Sequence, residues 1–207
     1  MSLFSNISLD NGLQIVVWNL TETLEELVEQ TPLSDEEREC WGEISVPAKK
    51  REFLAGKYVL EKACDLLDIS YRGMEKDEHG KPHLAGREYE ISLSHTEDFI
   101  AVVFSRHSAV GIALENPGEQ IFRILPRLYS PEEVAAVNGN LDTATVYWSA
   151  KEALYKLYGK RSVDFRKHLK LSGTGEQLEG LIAINGTRIP CRFYITRIME
   201  YFLVVAY

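Results

Sequence analysis

The sequence has few of the features that mark several broad classes of protein. Its 3 cysteines (Cys40, Cys64 and Cys191) are odd in number, widely spaced and without a Cys-x-x-Cys motif. They signal neither a disulfide framework nor a structural zinc site, and we expect reduced thiols. No apolar run approaches the roughly 18 residues of a membrane-spanning helix, so no membrane association is expected. The N-terminus lacks a basic region followed by an apolar run, and we therefore expect no signal peptide.

Basic residues are also scarce, because 23 Lys and Arg stand against 31 Asp and Glu and the formal net charge is −8. Binding to a nucleic acid backbone needs a basic excess, so nucleic acid is not expected as a partner. The basic residues concentrate in two islands, at 49–62 and 151–170. Such islands on an acidic protein suit a small polyanionic ligand or an acidic protein partner. Charge alone favours the simpler interpretation, which is two solvated helix faces.

Patterns of strand and helix alternate along the chain in mixed order. Strand patterns occupy 13–18, 91–94, 99–104, 110–115, 178–184, 188–196 and 201–206. Helix patterns begin at Thr21, Ser34, Pro47, Ile121, Ser130 and Thr143. We expect 110–115 to run back as a hairpin partner of 99–104, and Asn185-Gly186 to form a tight hairpin turn. The order predicts an α+β fold, with two similar halves that meet near residues 104–110.

The segment 110–116 places one acidic residue on a strand that is otherwise apolar. Side chains alternate between the two faces of a strand. Val110, Ile112 and Leu114 therefore share an apolar face, while Ala113 and Glu115 share the other. Glu115 is the only group on that second face able to carry out chemistry, so its function depends on what the rest of the chain brings to it.

Glu152 and Lys156 lie four residues apart on the helix pattern that starts at Thr143 and ends at Gly159. With Glu first, the spacing suits a surface ion pair, and spacing alone favours that interpretation. The alternative is that Glu152 binds a metal or acts as a base while Lys156 contacts a phosphate. Mg²⁺ takes carboxylate, water and phosphate oxygens, and Glu115 and Glu152 would converge on it if the fold brings them together.

The histidines give weaker signals. His95 follows a strand pattern and opens a polar turn, where a lone histidine is most often structural. Asp77, Glu78, His79 and His83 resemble a metal-binding cluster, but Gly80-Lys81-Pro82 breaks any helix between the two histidines. A metal site in this stretch is therefore disfavoured.

The order of these motifs along the chain resembles that of a known family. The sequence contains Gly80-Lys-Pro82, Ile91-Ser-Leu-Ser-His95, Val110-Gly-Ile-x-x-Glu115 and Trp148-Ser-Ala-Lys-Glu-Ala153 followed by Lys156. This ordered set is similar to the 4′-phosphopantetheinyl transferases of the surfactin-synthetase-activating type, from about residue 13 to the C-terminus. Lys49-Lys-Arg51 and Phe53-Leu-Ala-Gly-Lys57 fit the N-terminal half of that family.

The resemblance implies two pseudo-symmetric α+β halves, at 1–106 and 107–207, with a ligand cleft between them. It implies transfer of the phosphopantetheine arm from coenzyme A (CoA) to a serine of an apo acyl or peptidyl carrier protein, with release of 3′,5′-ADP. A monomer would suffice for this reaction, and the need for CoA implies a cytoplasmic location.

The resemblance also assigns roles to single residues. Glu115 and Glu152 would hold Mg²⁺ on the CoA pyrophosphate, and Glu152 would help to deprotonate the carrier serine. Lys156 and His95 would contact the CoA phosphates. Lys50, Lys57 and Lys81 would face the 3′-phosphate or its surroundings, with Lys49 as an alternate for Lys50. Lys57 stands where the family usually has Arg, so the charge is kept and the bidentate fork is lost.

One departure from the family pattern falls on the strand at 110–116. The family has Gly-Ile-Asp-x-Glu there, and its Asp is a principal metal ligand, whereas this chain has Ala113. A water could fill the vacant position, since Mg²⁺ keeps several waters in proteins. We therefore expect a weakened enzyme. The alternative is a catalytically impaired relative that binds CoA or the carrier protein.

Overall fold

The computed structural model describes residues 2–207 as an α+β protein, as the sequence predicts. Its strands are β1 (Leu3–Ser8), β2 (Gln14–Asn19), β3 (Met74–Lys76), β4 (Pro82–Leu84), β5 (Glu90–His95), β6 (Phe99–Ser105), β7 (Gly111–Glu115), β8 (Leu169–Ser172), β9 (Glu179–Ile184), β10 (Thr187–Ile198) and β11 (Tyr201–Ala206). Its helices are α1 (Leu24–Gln30), α2 (Asp35–Glu43), α3 (Pro47–Leu66), α4 (Ile121–Leu128), α5 (Pro131–Val137), α6 (Leu141–Tyr158) and α7 (Phe165–His168). Among these described residues, no helix combines the length and the apolar character that crossing a membrane requires.

The strands form two larger antiparallel sheets and one small ribbon. The first sheet has the order β1-β2-β6-β5, and the second has the order β7-β11-β10-β9-β8. Strands β3 and β4 pair with each other alone. The first sheet therefore takes its strands from residues 3–105, and the second takes its strands from residues 111–206. The division into pseudo-symmetric halves at residues 106 and 107 stays a prediction.

The two sheets pack face to face, with a long helix on each outer face. Alternate residues of β2, such as Ile15 and Val17, join Ile112 and Leu114 of β7 in one buried cluster between the sheets. The intervening residues of the first sheet pack against α3 in a second cluster. A third cluster joins α6 to the outer face of the second sheet. Side chains alternate between the two faces of each strand. One set therefore forms the core between the sheets, and the other set packs against α3 or α6.

The predicted pairing of 110–115 with 99–104 is wrong. Strand β7 pairs instead with β11 in the second sheet, and β6 pairs with β2 and β5 in the first. Strand β6 already has a hydrogen-bonded partner on each of its two edges. After Ser105 the chain therefore crosses to the second sheet, where β7 begins at Gly111. Four strands were not predicted from the sequence: β1, which has no buried residue, and the short strands β3, β4 and β8, which have three or four residues each.

Most of the predicted element boundaries are confirmed. Ser34 and Ser130 each form a reciprocal capping box with the Glu three residues later, and Pro47 opens the 20-residue helix α3. Asn185 and Gly186 connect β9 and β10 as a two-residue turn. The predicted cap at Thr21 is wrong, because Thr23 caps α1.

Close contact between β7 and α6 depends on Gly111. A Cβ atom at this position would lie 1.9 Å from the carbonyl oxygen of Ala153 and 2.6 Å from the backbone nitrogen of Leu157. Both are backbone atoms of α6 and cannot yield by rotation of a side chain. Gly111 therefore sets the distance at which the helix packs against the strand.

We expect Gly111→Ala to lower the free energy of unfolding by about 1–3 kcal/mol, because the added methyl group separates α6 from β7. The matched control is Gly56→Ala in α3, where an added Cβ has no neighbour within 4 Å. This control should stabilise the protein by about 0.5–1 kcal/mol, since alanine is the better helix former. Urea titration of both variants measures the difference, and equal stabilities would refute the proposed close contact.

Candidate functional site

Strand β7 carries Glu115 at its end, on the face that α6 covers. On the same face, Ala113 is completely buried and packs in the core formed by α6 and the second sheet. Glu115 is half-buried at the open end of this face. The sequence prediction that Ala113 and Glu115 share a face is therefore confirmed, and α6 is the element that lies against it.

Helix α6 brings Glu152 and Lys156 to this carboxylate. Asn140 caps its N-terminus, and Gly159 ends it in the left-handed conformation with a φ of 70°. Burial raises the pKa of Glu115 above its ordinary value, and the charge of Glu152 raises it further. Burial likewise raises the pKa of Glu152, while the charge of Lys156 opposes the shift. The two carboxylates therefore share one partly dehydrated environment with a single ammonium group.

Lys156 joins the two sheets at this point. Its Nζ donates hydrogen bonds to the carbonyl oxygens of Leu93 at 3.2 Å and Ile112 at 2.8 Å. Leu93 lies on β5 of the first sheet, and Ile112 lies on β7 of the second. An ammonium group has three donors, so one remains for a carboxylate or a phosphate oxygen. Burial lowers the pKa of Lys156, and the charges of Glu152 and Glu115 oppose that shift.

Two serine side chains extend the same junction. The Ser92 hydroxyl accepts a hydrogen bond from the Ile112 N–H at 3.2 Å, and the Ser94 hydroxyl accepts one from the Leu114 N–H at 3.0 Å. These bonds replace a strand partner on the free edge of β7. Ser92 and Ser94 thus have a structural role at the junction of the two sheets.

The first sheet contributes His95 to the same region. Its Nε2 lies 3.0 Å from Oε2 of Glu52 on α3, and the same oxygen accepts a hydrogen bond from Lys49 at 2.6 Å. Loss of water contacts lowers the pKa of His95, Glu52 raises it, and Lys156 and Lys49 lower it further. His95 therefore lies within electrostatic reach of the groups on α6.

Lys81 lies next to this cluster, at the end of α6. Its Nζ donates to the Leu157 carbonyl oxygen at 3.3 Å and lies 3.5 Å from the Glu90 carboxylate. A cavity of about 230 Å³ is lined by Lys81, Tyr155 and Lys156, among other residues. Two ammonium groups thus border a small cavity between the β3–β4 turn and α6, which suits an anion.

Two of the predicted CoA-contacting lysines lie elsewhere. Lys50 lies over the ring of Trp41, with Nζ 4.6 Å from the ring centroid. Lys57 is buried and forms an ion pair with Glu37 on α2. The structure thus groups His95, Lys81, Glu115, Glu152 and Lys156, but it does not bring Lys50 and Lys57 to them. The role of these two lysines as CoA contacts stays a prediction.

Sequence reasoning did not identify two side chains that adjoin this cluster. Glu52 binds both Lys49 and His95, and its i,i+3 spacing from Lys49 was the one available signal. The Trp148 side chain opposes the rise in the pKa of Glu115 that burial and the charge of Glu152 cause. Trp148 stood in the quoted motif, but nothing in the motif indicated its contact.

The two carboxylates fit a magnesium ion that shares its coordination with a phosphate ligand. Within residues 2–207, no group of three or more His, Cys, Asp and Glu side chains is arranged to hold a metal ion. Mg²⁺ commonly uses only one or two carboxylates and takes its other oxygens from water and substrate phosphates. Burial is the main cause of the raised pKa of Glu115 and the charge of Glu152 adds to it, so a cation near both carboxylates would stabilise their charged forms.

The comparison with known families agrees with this geometry. Residues 109–195 match the sequence model of the 4′-phosphopantetheinyl transferase superfamily. The matched segment contains β7 and α6, and therefore Glu115, Glu152 and Lys156, but it covers less than half of the 207 residues. A search among curated proteins found no significant match. The match supports a function of the phosphopantetheinyl transferase type in general terms.

Proposed function

We propose that this protein transfers the 4′-phosphopantetheine group from CoA to a serine of an apo acyl or peptidyl carrier protein, with the help of Mg²⁺. The observation that carries the proposal is that Glu115, Glu152 and Lys156 lie within electrostatic reach of each other inside the segment matched by the superfamily model, since the charges of Glu152 and Lys156 both shift the pKa of Glu115. One chain supplies every residue of the candidate site, so a monomer would suffice. The need for CoA suits a cytoplasmic location.

Glu152 is the proposed general base. Burial raises the pKa of Glu152 and so favours proton acceptance, whereas a Mg²⁺ ion held by the same carboxylate would oppose this shift. It would take the proton of the carrier serine, directly or through a water. The serine oxygen then bonds to the phosphorus that carries the pantetheine arm. The bond from that phosphorus to the bridging oxygen breaks, and 3′,5′-ADP leaves with the electron pair.

The basic residues of the proposed site bind and orient the CoA phosphates. Lys156 has one donor left beyond its two backbone bonds, and that donor would stabilise charge on the pyrophosphate. His95 would contact the same phosphates from the first sheet, and Lys81 would contact the 3′-phosphate or its surroundings. Glu115 and Glu152 would hold Mg²⁺. When bound, the ion would neutralise charge on the pyrophosphate.

The direct test is transfer from labelled CoA to an apo carrier protein, with and without Mg²⁺. We expect mass spectrometry to detect a phosphopantetheine adduct on the carrier serine, together with released 3′,5′-ADP. Removing the metal with a chelator should suppress the reaction, and adding Mg²⁺ back should restore it. An absence of transfer to acyl and peptidyl carrier proteins at high enzyme concentration would contradict the proposed activity.

A second candidate function rests on Ala113. This residue is fully buried in the core, so no side chain oxygen is available two residues before Glu115. A protein with this deficit could bind CoA or a carrier protein without efficient transfer. CoA binding measured by calorimetry, combined with no transfer in the assay above, would favour this second function over the first.

The substitution Ala113→Asp tests the importance of the missing oxygen. Without Mg²⁺, a carboxylate at this buried position should lower the free energy of unfolding by about 1–3 kcal/mol. With Mg²⁺, we expect about a tenfold gain in metal affinity, because the site gains a charged ligand. Thermal unfolding across a Mg²⁺ titration measures both effects. A melting temperature that responds to Mg²⁺ no more than that of the wild type would show that residue 113 does not face the metal.

A further inference from the structure

The turn between β3 and β4 is organised around Asp77. Its Oδ1 accepts hydrogen bonds from the backbone N–H groups of His79 and Lys81, both at 2.9 Å. The backbone N–H of Asp77 also donates to the Lys81 carbonyl oxygen at 3.0 Å, and the Gly80 N–H donates to the Asp77 carbonyl oxygen at 2.9 Å. The Asp77 side chain therefore holds the backbone of the turn from His79 to Lys81.

The second carboxylate oxygen of Asp77 is fixed as well. Oδ2 lies 3.2 Å from Nε2 of His83, a residue that is buried in the structure. Loss of water alone would raise the pKa of Asp77, but the hydrogen bonds from His83, Lys81 and His79 outweigh it and lower the pKa to about 2. The stretch 77–83 is therefore a turn stabilised by Asp77, whose carboxylate contacts the backbone of the turn and the His83 side chain.

The tip of this turn rests on the end of α6. Lys81 donates to the Leu157 carbonyl oxygen at 3.3 Å, and Arg161 donates to the His79 carbonyl oxygen at 3.2 Å. A Cβ atom at Gly159 would lie 2.5 Å from Cδ of Lys81, so the lysine stem passes directly over this glycine. Lys81 thus lies at the negative end of the helix dipole, on the rim of the small cationic cavity.

From these contacts we propose that Asp77 is a positioning residue, which holds Lys81 at the cavity and thereby sets the affinity of the protein for the phosphates of CoA. This inference rests on the proposed function. Asp77 makes no contact with the carboxylates on β7 and α6, so its effect concerns ligand binding and leaves the chemical step intact. The long side chain of Lys81 has many rotamers, and a fixed backbone at its base restricts where the ammonium group can reach.

The experiment compares Asp77→Ala, Asp77→Asn and the neighbouring Glu78→Ala in the full chain. Glu78 has 87% of its side chain exposed, which makes it a control for charge at the same turn. Calorimetry gives the dissociation constant for CoA and for 3′,5′-ADP, and the transfer assay gives kcat and KM. Amide hydrogen exchange at His79 and Lys81 reports directly on the turn.

We expect Asp77→Ala to raise the dissociation constant and KM for CoA by about tenfold, with kcat nearly unchanged. Exchange at the two amides should accelerate. Asp77→Asn should restore most of the affinity, because an amide oxygen still accepts both backbone N–H bonds. Glu78→Ala should behave as the wild type. Adding Asp77→Ala to Lys81→Met should weaken binding no further than Lys81→Met alone, as expected if Asp77 acts through Lys81.

Three results would overturn the inference. Unchanged CoA affinity in Asp77→Ala, despite faster amide exchange, would leave Asp77 with a structural role only. A fall in kcat without a change in KM would place its effect on the chemical step. A wild-type protein that binds neither CoA nor 3′,5′-ADP would refute the inference together with the proposed function, whereas the first two results leave that function standing.

Discussion

Replacing Glu152 with Gln is expected to reduce the rate of phosphopantetheine transfer by about a thousandfold while the protein stays folded. Glutamine has nearly the same shape as glutamate, but it accepts no proton and brings no charge to a metal ion. Both proposed roles of Glu152 are therefore lost in one substitution. Because the burial that raises the pKa of Glu152 reflects an unfavourable charge, its removal should not destabilise the fold.

The measurement is kcat under saturating CoA and carrier protein, together with the melting temperature. Glu119→Gln is a matched control, since Glu119 is exposed and lies in the same part of the chain after β7. This control should keep its activity. If Glu152→Gln kept more than about a tenth of the wild-type rate, Glu152 would be neither the base nor an important metal ligand.

Replacing Lys151 with Met is expected to lower the free energy of unfolding by about 3–5 kcal/mol. Lys151 was one of the basic residues of the 151–170 island, but its side chain is completely buried. Its Nζ donates to the Glu133 carboxylate and the Leu128 carbonyl oxygen, both at 2.8 Å, and to the Phe165 carbonyl oxygen at 2.9 Å. All three donors are thus satisfied, and methionine would leave Glu133 buried without its counter-charge.

A double-mutant cycle separates the charge from the packing. Lys151→Met combined with Glu133→Gln should recover part of the lost stability, because no unpaired charge then remains buried. Lys170→Met serves as the surface control, since Lys170 is exposed. Urea unfolding measures the wild type, both single variants, the double variant and the surface control. A loss below about 1 kcal/mol in the single variant would mean that the ion pair contributes no more than an exposed one.

Lys151 and Lys156 illustrate why only part of the site could be predicted from the sequence. Both lysines lie on α6 at positions five residues apart, and so on different sides of the helix. Helical spacing predicted that the two side chains lie on different faces of α6, but it could not predict which face packs against the rest of the protein. The structure buries Lys151 beside α5 and leaves Lys156 between the two sheets, where it bonds to Leu93, which is 63 residues away in sequence.

The strand that carries Glu115 shows that prediction of the fold from the sequence has the same limit. Alternation of side chains along 110–115 predicted which residues share a face, and that prediction is confirmed. The predicted pairing of this strand with its sequence neighbour is wrong, because the fully buried strand β11 pairs with it instead. Strand pairing depends on which edges remain free after the whole sheet has formed, and that information is not local.

The sequence by itself determined the α+β class, most helix and strand boundaries, and the shared face of Ala113 and Glu115. These features follow from periodicity and capping, which act over a few residues. Only the tertiary structure decided that Lys156 contacts both sheets within electrostatic reach of Glu115 and Glu152, and that Lys57 pairs with Glu37. Such contacts depend on how two sheets and a helix pack together, since contacts between distant residues form only when the complete core excludes water.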